Sequence, residues 1–218
     1  MSQESNWSAV RKAIGDKGLE LGPHMGYQIQ DSPRHALFTL SRYKFASRLL
    51  PQNKKVSVLD LGCSEGYGSL MLAEIGHSVV GIDTDLDAIA HAQRTINKPN
   101  IRFTGGPIDH PPFNAVVSLD VIEHISAEDT GAFMDGILLN LTDDGICIIG
   151  TPNDTANQYS SETSKIGHIN MFTAERLSKL MGEYFTNVFM FGMNDEVVHT
   201  GFYPMCHYLV ALGCGPRK

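Results

Sequence analysis

Charge is scarce in this chain, and so is tryptophan. Charged residues make up 19% of 218 positions, hydrophobic residues 42%, and tryptophan occurs once. That balance suits a folded globular domain rather than a disordered chain. Basic residues are in deficit: 17 Lys and Arg against 24 Asp and Glu leave a net charge of −7. An acidic chain has no general attraction for nucleic acid phosphates or anionic lipid. The four cysteines, at 63, 147, 206 and 214, are far apart, with no CxxC and no His/Cys cluster. This argues against a disulfide framework or a zinc site, and Cys63 and Cys147 read as small buried apolar residues. No apolar run approaches the ~20 residues of a membrane span, and Met1-Ser-Gln-Glu-Ser5 lacks a secretory leader pattern. A cytoplasmic location is therefore expected. Repeats and low-complexity segments are absent as well.

Against that background one segment is dense with information. The apolar run from Val56 to Leu61, carrying Asp60, is followed by glycines at 62, 66 and 68 and then by the helix-like Ser69-Leu-Met-Leu-Ala-Glu74. This is a strand, a tight turn and a helix start, where a ligand can lie against bare backbone. A second strand, Ser78-Val-Val-Gly-Ile82, stops at Asp83, whose carboxylate can accept from a ribose diol. Together they predict a nucleoside-containing cofactor. The spacing 62/66/68 does not match G-x-G-x-x-G, which argues against a nicotinamide dehydrogenase.

Elsewhere strands and helices alternate. Strands are expected near 56–61, 78–82, 100–103, 113–119, 144–150, 186–191 and 206–212. Helices are expected over 34–50, 67–75, 85–95, 128–140 and 173–182. The N-terminal stretch offers a short helix near Trp7–Ile14 and a loop from Gly15 to Pro33. The pattern predicts an α/β fold, a three-layer sandwich with helices on both sides of a mostly parallel sheet. Residues 1–33 read as a cap segment and 34–218 as one domain. Residues 151–172 are polar and aperiodic, and follow the fifth strand at its carboxyl end. Such a stretch reads as a functional loop, here a lid over the acceptor.

Four blocks carry a family resemblance: Asp60-Leu-Gly-Cys-Ser-Glu-Gly66, Gly81-Ile-Asp-Thr84, Phe113-Asn-Ala-Val-Val-Ser-Leu-Asp-Val-Ile-Glu-His124 and Gly145-Ile-Cys-Ile-Ile-Gly-Thr-Pro-Asn153. In this order the chain resembles the class I (Rossmann-like) S-adenosylmethionine-dependent methyltransferases. The resemblance implies a doubly wound seven-stranded sheet closed by an antiparallel C-terminal edge hairpin. It implies S-adenosyl-L-methionine as cofactor and S-adenosyl-L-homocysteine as product. Gly62 and Gly66 would face the methionine tail, with Asp60 ordering the turn and reaching the tail amine. Ser64 stands where the family commonly has glycine, and is tolerable there with negative φ. Asp83 would hold the ribose, since Asp85 is the better cap for the next helix. Thr84, Leu86, Pro107, Ile108 and Leu119 would line the pocket. The loop after the third strand lacks the family's carboxylate for adenine, which Asp109 could replace. Arg42 of the Arg42-Tyr43 pair would meet the tail carboxylate, and Tyr27 could cover the cofactor.

Methyl transfer to an alcohol needs a group that takes the proton. The candidates are His168 in Gly167-His-Ile-Asn-Met-Phe-Thr173, and His124, which the spacing 120, 123, 124 places with Asp120 and Glu123 on one helical turn. Asp120, Asn153 and Asn170 are candidate acceptor contacts. His199 and His207 read as structural or surface residues. Asp120, Glu123, Asp154 and His168 could surround a metal, but no spacing demands one and none is expected. The polar lid favours O-methylation of a small polar acceptor such as a sugar, a nucleotide sugar or another phosphorylated metabolite. N- or C-methylation, and a non-catalytic cofactor-binding partner protein, are the alternatives. The expected partner is a small molecule, with neither nucleic acid nor membrane, and a homodimer is compatible.

Overall fold

The computed structural model describes residues 3–15, 18–108 and 110–218. Three helices come first: α1 (Gln3–Ile14), α2 (Pro23–Asp31) and α3 (Pro33–Leu49). The alternating body follows as β1 (Ser57–Leu61), α4 (Tyr67–Leu72), β2 (Ser78–Ile82), α5 (Leu86–Thr95), β3 (Ile101–Thr104), β4 (Phe113–Leu119) and α6 (Thr130–Leu139). The remainder is β5 (Leu141–Pro152), α7 (Glu162–Gly167), α8 (Ala174–Tyr184), β6 (Phe185–Asn194), β7 (Val197–His199) and β8 (Tyr208–Pro216).

The strands form one sheet in the order β3-β2-β1-β4-β5-β8-β6-β7. The first five are parallel, and β8 runs antiparallel between β5 and β6. The expected α/β architecture holds, with two refinements. The short β7 adds an eighth strand beside β6, and the final strand is internal to the sheet rather than at its edge.

Neighbouring residues on the central strands enter different cores, because side chains alternate across a pleated sheet. Leu59, Val116 and Ile149 pack with Met134 and Ile137 of α6 and with Leu177 and Met181 of α8. Val58, Val117 and Ile148 pack on the other side with Ala46 of α3 and Leu72 of α4. The sheet is thus the middle of three layers. Strand order reverses between β1 and β4, so a crevice opens beyond the carboxyl ends of those strands. Two segments of special sequence leave from there: the glycine turn after Leu61, and Asp120 after Leu119.

Two local expectations are corrected. Residues 15–33 are not all loop, since α2 occupies Pro23–Asp31. Residues 151–172 carry structure of their own, a 3₁₀ turn at Asp154–Tyr159 followed by α7. Thr173 caps α8 as its position suggests, accepting from the Arg176 N–H. All four cysteines are free. No helix among the described residues is long and apolar enough to cross a membrane.

Candidate functional site

The turn after β1 is stitched to the end of β2. The N–H groups of Gly62 and Cys63 both donate to the Ile82 carbonyl, at 2.8 and 3.0 Å. Gly62 and Gly66 have φ of +86° and +82°. At Gly66 a Cβ would also stand 2.5 Å from Cζ of Phe103. Ser64 corrects an expectation: its φ is +47°, in the region that favours glycine. What holds it there is Asp83. Oδ2 of Asp83 accepts from the Ser64 N–H at 2.7 Å, and Oδ1 accepts from the Asp85 N–H at 2.9 Å. Asp85 in turn caps α5 through the N–H groups of Asp87 and Ala88. One carboxylate therefore ties the turn to the next helix and stays half-exposed.

Ser64→Gly keeps that backbone bond and relieves the strain. Left-handed backbone costs a side-chain-bearing residue about 1–2 kcal/mol, and glycine gives back about 0.5–1 kcal/mol in chain entropy. The variant is expected to gain up to about 1 kcal/mol in denaturant unfolding. A loss instead would mean that the hydroxyl makes a contact outweighing the strain.

Under the turn lies Asp60, fully buried. It accepts from Ser69 Oγ at 2.5 Å and Tyr43 Oη at 3.2 Å. Burial pushes its carboxyl up to about 7, while those two hydrogen bonds pull the other way. Asp60 thus orders the turn from inside, and the same burial places it away from direct reach of a tail amine. Arg42 is engaged too. Its Nη1 donates to both oxygens of Asp120, at 2.8 and 2.9 Å, and its guanidinium stacks 3.9 Å over the Tyr208 ring. Asp120 has φ of +60°, and its N–H donates to Gly150 O at 2.9 Å. On the β3 side, Leu86 lies where a Cβ on Gly105 would be, so the missing side chain makes room for it. Thr84 and Pro107 are exposed, Ile108 is half-buried, and Asp109 lies outside the described residues.

A cleft of about 870 Å³ runs from the turn to the lid. Its walls include Gly62, Ser64, Arg42, Leu119, Asp120 and His168. Tyr27 joins that lining from α2, and Tyr159 joins from the lid. The volume falls within the range of small-molecule sites. Asp83, Thr84, Leu86, Pro107 and Ile108 are not among its lining residues, and Asp83 is tied to it through Ser64.

At the lid end the expected single helical turn 120–124 is not what forms. Only Ile122–His124 is helical, as a 3₁₀ turn, and Asp120 precedes it in left-handed backbone. Glu123 is fully buried, whereas His124 is exposed. Thr151 Oγ1 donates to Glu123 Oε2 at 3.0 Å, and burial, with Asp120 adding to it, raises the Glu123 carboxyl above the usual range. The His124 and His168 rings stand edge to face, 5.1 Å apart. Burial lowers the His168 pKa below 6.5, and His124 adds to the effect. One donor atom each from Glu123, His124 and His168 falls within 4.8 Å of the others. Asp154 is exposed and is not in this cluster.

Two expected acceptor contacts are corrected. Asn153 is buried, and its Nδ2 donates to the carbonyls of Tyr203 and Cys206 at 2.8 and 2.9 Å. Asn170 is buried as well, bonded to Thr130 Oγ1 at 3.0 Å and to Arg176 Nη2 at 2.5 Å. Both amides are spent anchoring the lid to the domain. His199 bonds Asn194 at 2.7 Å, and His207 stands 3.7 Å from Asp195.

Sequence reasoning missed Glu65. Its buried carboxylate accepts from the His24 and Met25 N–H groups at 2.7 and 3.0 Å, capping α2 and fastening the N-terminal segment over the cleft. An acidic residue inside a glycine turn was the available signal. The role of Tyr43 as a partner of Asp60 was missed for want of any local pattern.

Comparison with known proteins agrees with this geometry. A methyltransferase-domain family model matches residues 34–186, more than half of the chain. A probable S-adenosylmethionine-dependent methyltransferase of Mycobacterium tuberculosis is 27% identical over 151 residues, 67% of this chain and 54% of that protein. A ubiquinone biosynthesis O-methyltransferase of Azorhizobium caulinodans is 29% identical over 121 residues, 52% of this chain and 47% of that protein. The chain spans about half the length of the curated relatives it matches. The plantazolicin methyltransferase BpumL, solved with a triazolic desmethylPZN analog and SAH, superposes with a TM-score of 0.66 over 88% of this chain and 89% of that one, at 14% identity. That likeness is one of fold. The sheet order, the glycine turn with its bridging aspartate, and the matched domain lead to one assignment: the chain belongs to the class I S-adenosylmethionine-dependent methyltransferase family.

Proposed function

We propose that the chain transfers the methyl group of S-adenosylmethionine to an oxygen of a small polar acceptor. The observation that carries this reading is the continuity of the cleft. It begins at bare backbone beside Gly62 and Ser64, and ends at Asp120 and His168, groups able to orient a hydroxyl and take part in removing its proton. In the reaction an acceptor lone pair forms the O–C bond. The C–S bond breaks with its electron pair retained by sulfur, giving S-adenosylhomocysteine, and the hydroxyl proton is released. The cofactor carries most of the chemical difficulty. The protein sets the alignment, holding oxygen about 3 Å from the methyl carbon. Gly62 and Ser64 offer their backbone to the methionine tail at the cleft wall, and a free lone pair on each Asp83 oxygen remains for the ribose hydroxyls. Oxygen as the methylated atom is supported by the relatives named as O-methyltransferases. The neutral imidazole of His168 supports it from the protein side.

Two measurements test this. Asp83→Ala removes acceptors for two backbone N–H groups as well as for the ribose. Hydrogen bonds to charged groups are worth about 1.5–3 kcal/mol, so cofactor affinity by calorimetry should fall at least about tenfold. An unchanged affinity would place the ribose elsewhere. Formation of S-adenosylhomocysteine should then be followed across nucleotide sugars, phosphorylated metabolites, phenols and amines. Turnover confined to amines would overturn the oxygen assignment. Tight cofactor binding without any turnover would favour a non-catalytic role.

A further inference from the structure

We propose that Glu123, His124 and His168 form a site for one divalent transition-metal cation at the acceptor end of the cleft. Their donor atoms converge within 4.8 Å, and the hydrogen bonds around them leave one lone pair bare on each residue. Glu123 Oε2 is taken by Thr151 at 3.0 Å, while Oε1 is buried with no hydrogen-bond partner among the described residues. His124 Nδ1 stands 2.8 Å from the Gly167 carbonyl, which can only accept; Nδ1 therefore carries the proton, and Nε2 keeps its lone pair. His168 Nδ1 is buried with no hydrogen-bond partner among the described residues. An unpaired buried polar atom costs free energy, and native folds leave few of them. A cation satisfies all of them at once.

The supports around the cluster fit this role. A metal-binding histidine typically donates its second N–H to a carbonyl or carboxylate, as His124 does to Gly167, and a ligating carboxylate is itself hydrogen-bonded, as Glu123 is by Thr151. The Asn170 N–H donates to the Glu123 carbonyl at 3.0 Å, fixing the backbone of the 3₁₀ turn against the end of the lid. Ligands of one tetrahedral ion, each about 2.0–2.2 Å from it, are about 3.3–3.6 Å apart, so side chains whose donor atoms lie within 4.8 Å of one another must draw in by up to about 1 Å. Two imidazoles and one carboxylate suit Mn, Fe, Co or Zn better than Mg or Ca, which favour oxygen ligands. Three protein ligands leave coordination positions open, and His168 and Asp120 border the cleft. The sequence alone predicts no metal, because Glu123 and His124 are 45 and 44 residues from His168 and only the fold brings them together.

What the ion does to the acceptor rests on the function proposed above, whereas its binding does not. An ion held by Glu123, His124 and His168 would supply Lewis acidity there, making an acceptor hydroxyl easier to deprotonate as its oxygen attacks the methyl carbon. The test separates the two claims. Chelator-stripped wild-type protein is titrated with MnCl₂ by electron paramagnetic resonance, and with ZnCl₂ in competition with a chromophoric chelator, in the absence of cofactor. One ion per chain should bind. The His124→Ala/His168→Ala variant, with unchanged circular dichroism, should bind at least about tenfold more weakly. Both residues are at least partly exposed, and Glu123→Gln serves as a second probe if the double variant misfolds. Failure of either ion to bind wild type, or equal binding by a folded variant, overturns the site. Rates of S-adenosylhomocysteine formation before and after stripping complete the set. Metal binding without any oxygen acceptor leaves the site standing and sinks the functional reading. Full turnover by stripped protein that binds no ion does the reverse.

Discussion

Replacing His168 by alanine should lower kcat by about a hundredfold to ten-thousandfold, the usual span for a group that handles the transferred proton. Cofactor affinity should stay within about twofold, because His168 belongs to the lid and not to the Gly62–Gly68 turn. That split is what distinguishes a residue acting on the acceptor from one that merely supports the fold. Initial rates at saturating cofactor, alongside calorimetry with S-adenosylhomocysteine, read both quantities. A kcat within about threefold of wild type would remove His168 from the reaction. A pH profile gives a second reading. The imidazole works in its neutral form, whether toward a proton or toward an ion. Burial and then His124 lower its pKa below 6.5. The neutral form therefore persists to lower pH than in a free histidine, and the acid limb of kcat should be centred below pH 6.5. An acid limb centred at or above 6.5 would contradict the environment described for this residue.

The second large effect is expected from Gly68→Ala. A Cβ there would fall within the Tyr43 ring. That ring has nowhere to go. It is buried among Ala46, Leu50 and Leu72, and its hydroxyl is bonded to Asp60 beneath the turn. Overpacking of this kind costs about 1–3 kcal/mol, sometimes more. In a domain of this size each kcal/mol moves Tm by about 2–4 °C. A fall of about 5–10 °C by circular dichroism is expected, with weakened cofactor binding because the turn must shift with the ring. Gly136→Ala supplies the contrast. Gly136 lies inside α6, and a Cβ there meets nothing within 4 Å. That change should stabilise by about 0.4–1 kcal/mol. Equal effects at the two positions would mean that Tyr43 is mobile.

How much of this was legible depends on whether the cause is local. The strands β1, β2 and β4 were readable because each is a short apolar run bounded by turn residues. Asp85 and Thr173 were readable as caps because a cap acts on the next few residues. α2 was not. Gly22 offers no side-chain cap, and the group that satisfies the first N–H groups of that helix is Glu65, some 40 residues away. The backbone at Ser64 was misjudged for a similar reason. A serine normally avoids φ of +47°, and only the hydrogen bond to Asp83 shows why it stays. Asn153 and Asn170 were read as facing the acceptor because polar residues in a lid suggest solvent or ligand. Their amides instead satisfy carbonyls and side chains from β8's approach and from α6, partners that no sequence spacing reveals.

The placement of β8 has a consequence for how the chain reaches its final form. The strand occupies an interior slot between β5 and β6, pairing from Ile146↔Cys214 to Pro152↔Tyr208 on one side and from Phe185↔Pro216 to Met193↔Tyr208 on the other. During synthesis, β5 must wait until the residues through Pro216 have emerged before its outer flank is covered. Until then Ile146-Cys-Ile-Ile-Gly-Thr151 presents an open apolar border of the kind that recruits strands from other molecules. Truncation that removes Tyr208–Pro216 would recreate that border in a finished molecule, so such trimmed forms should precipitate rather than persist as smaller working enzymes.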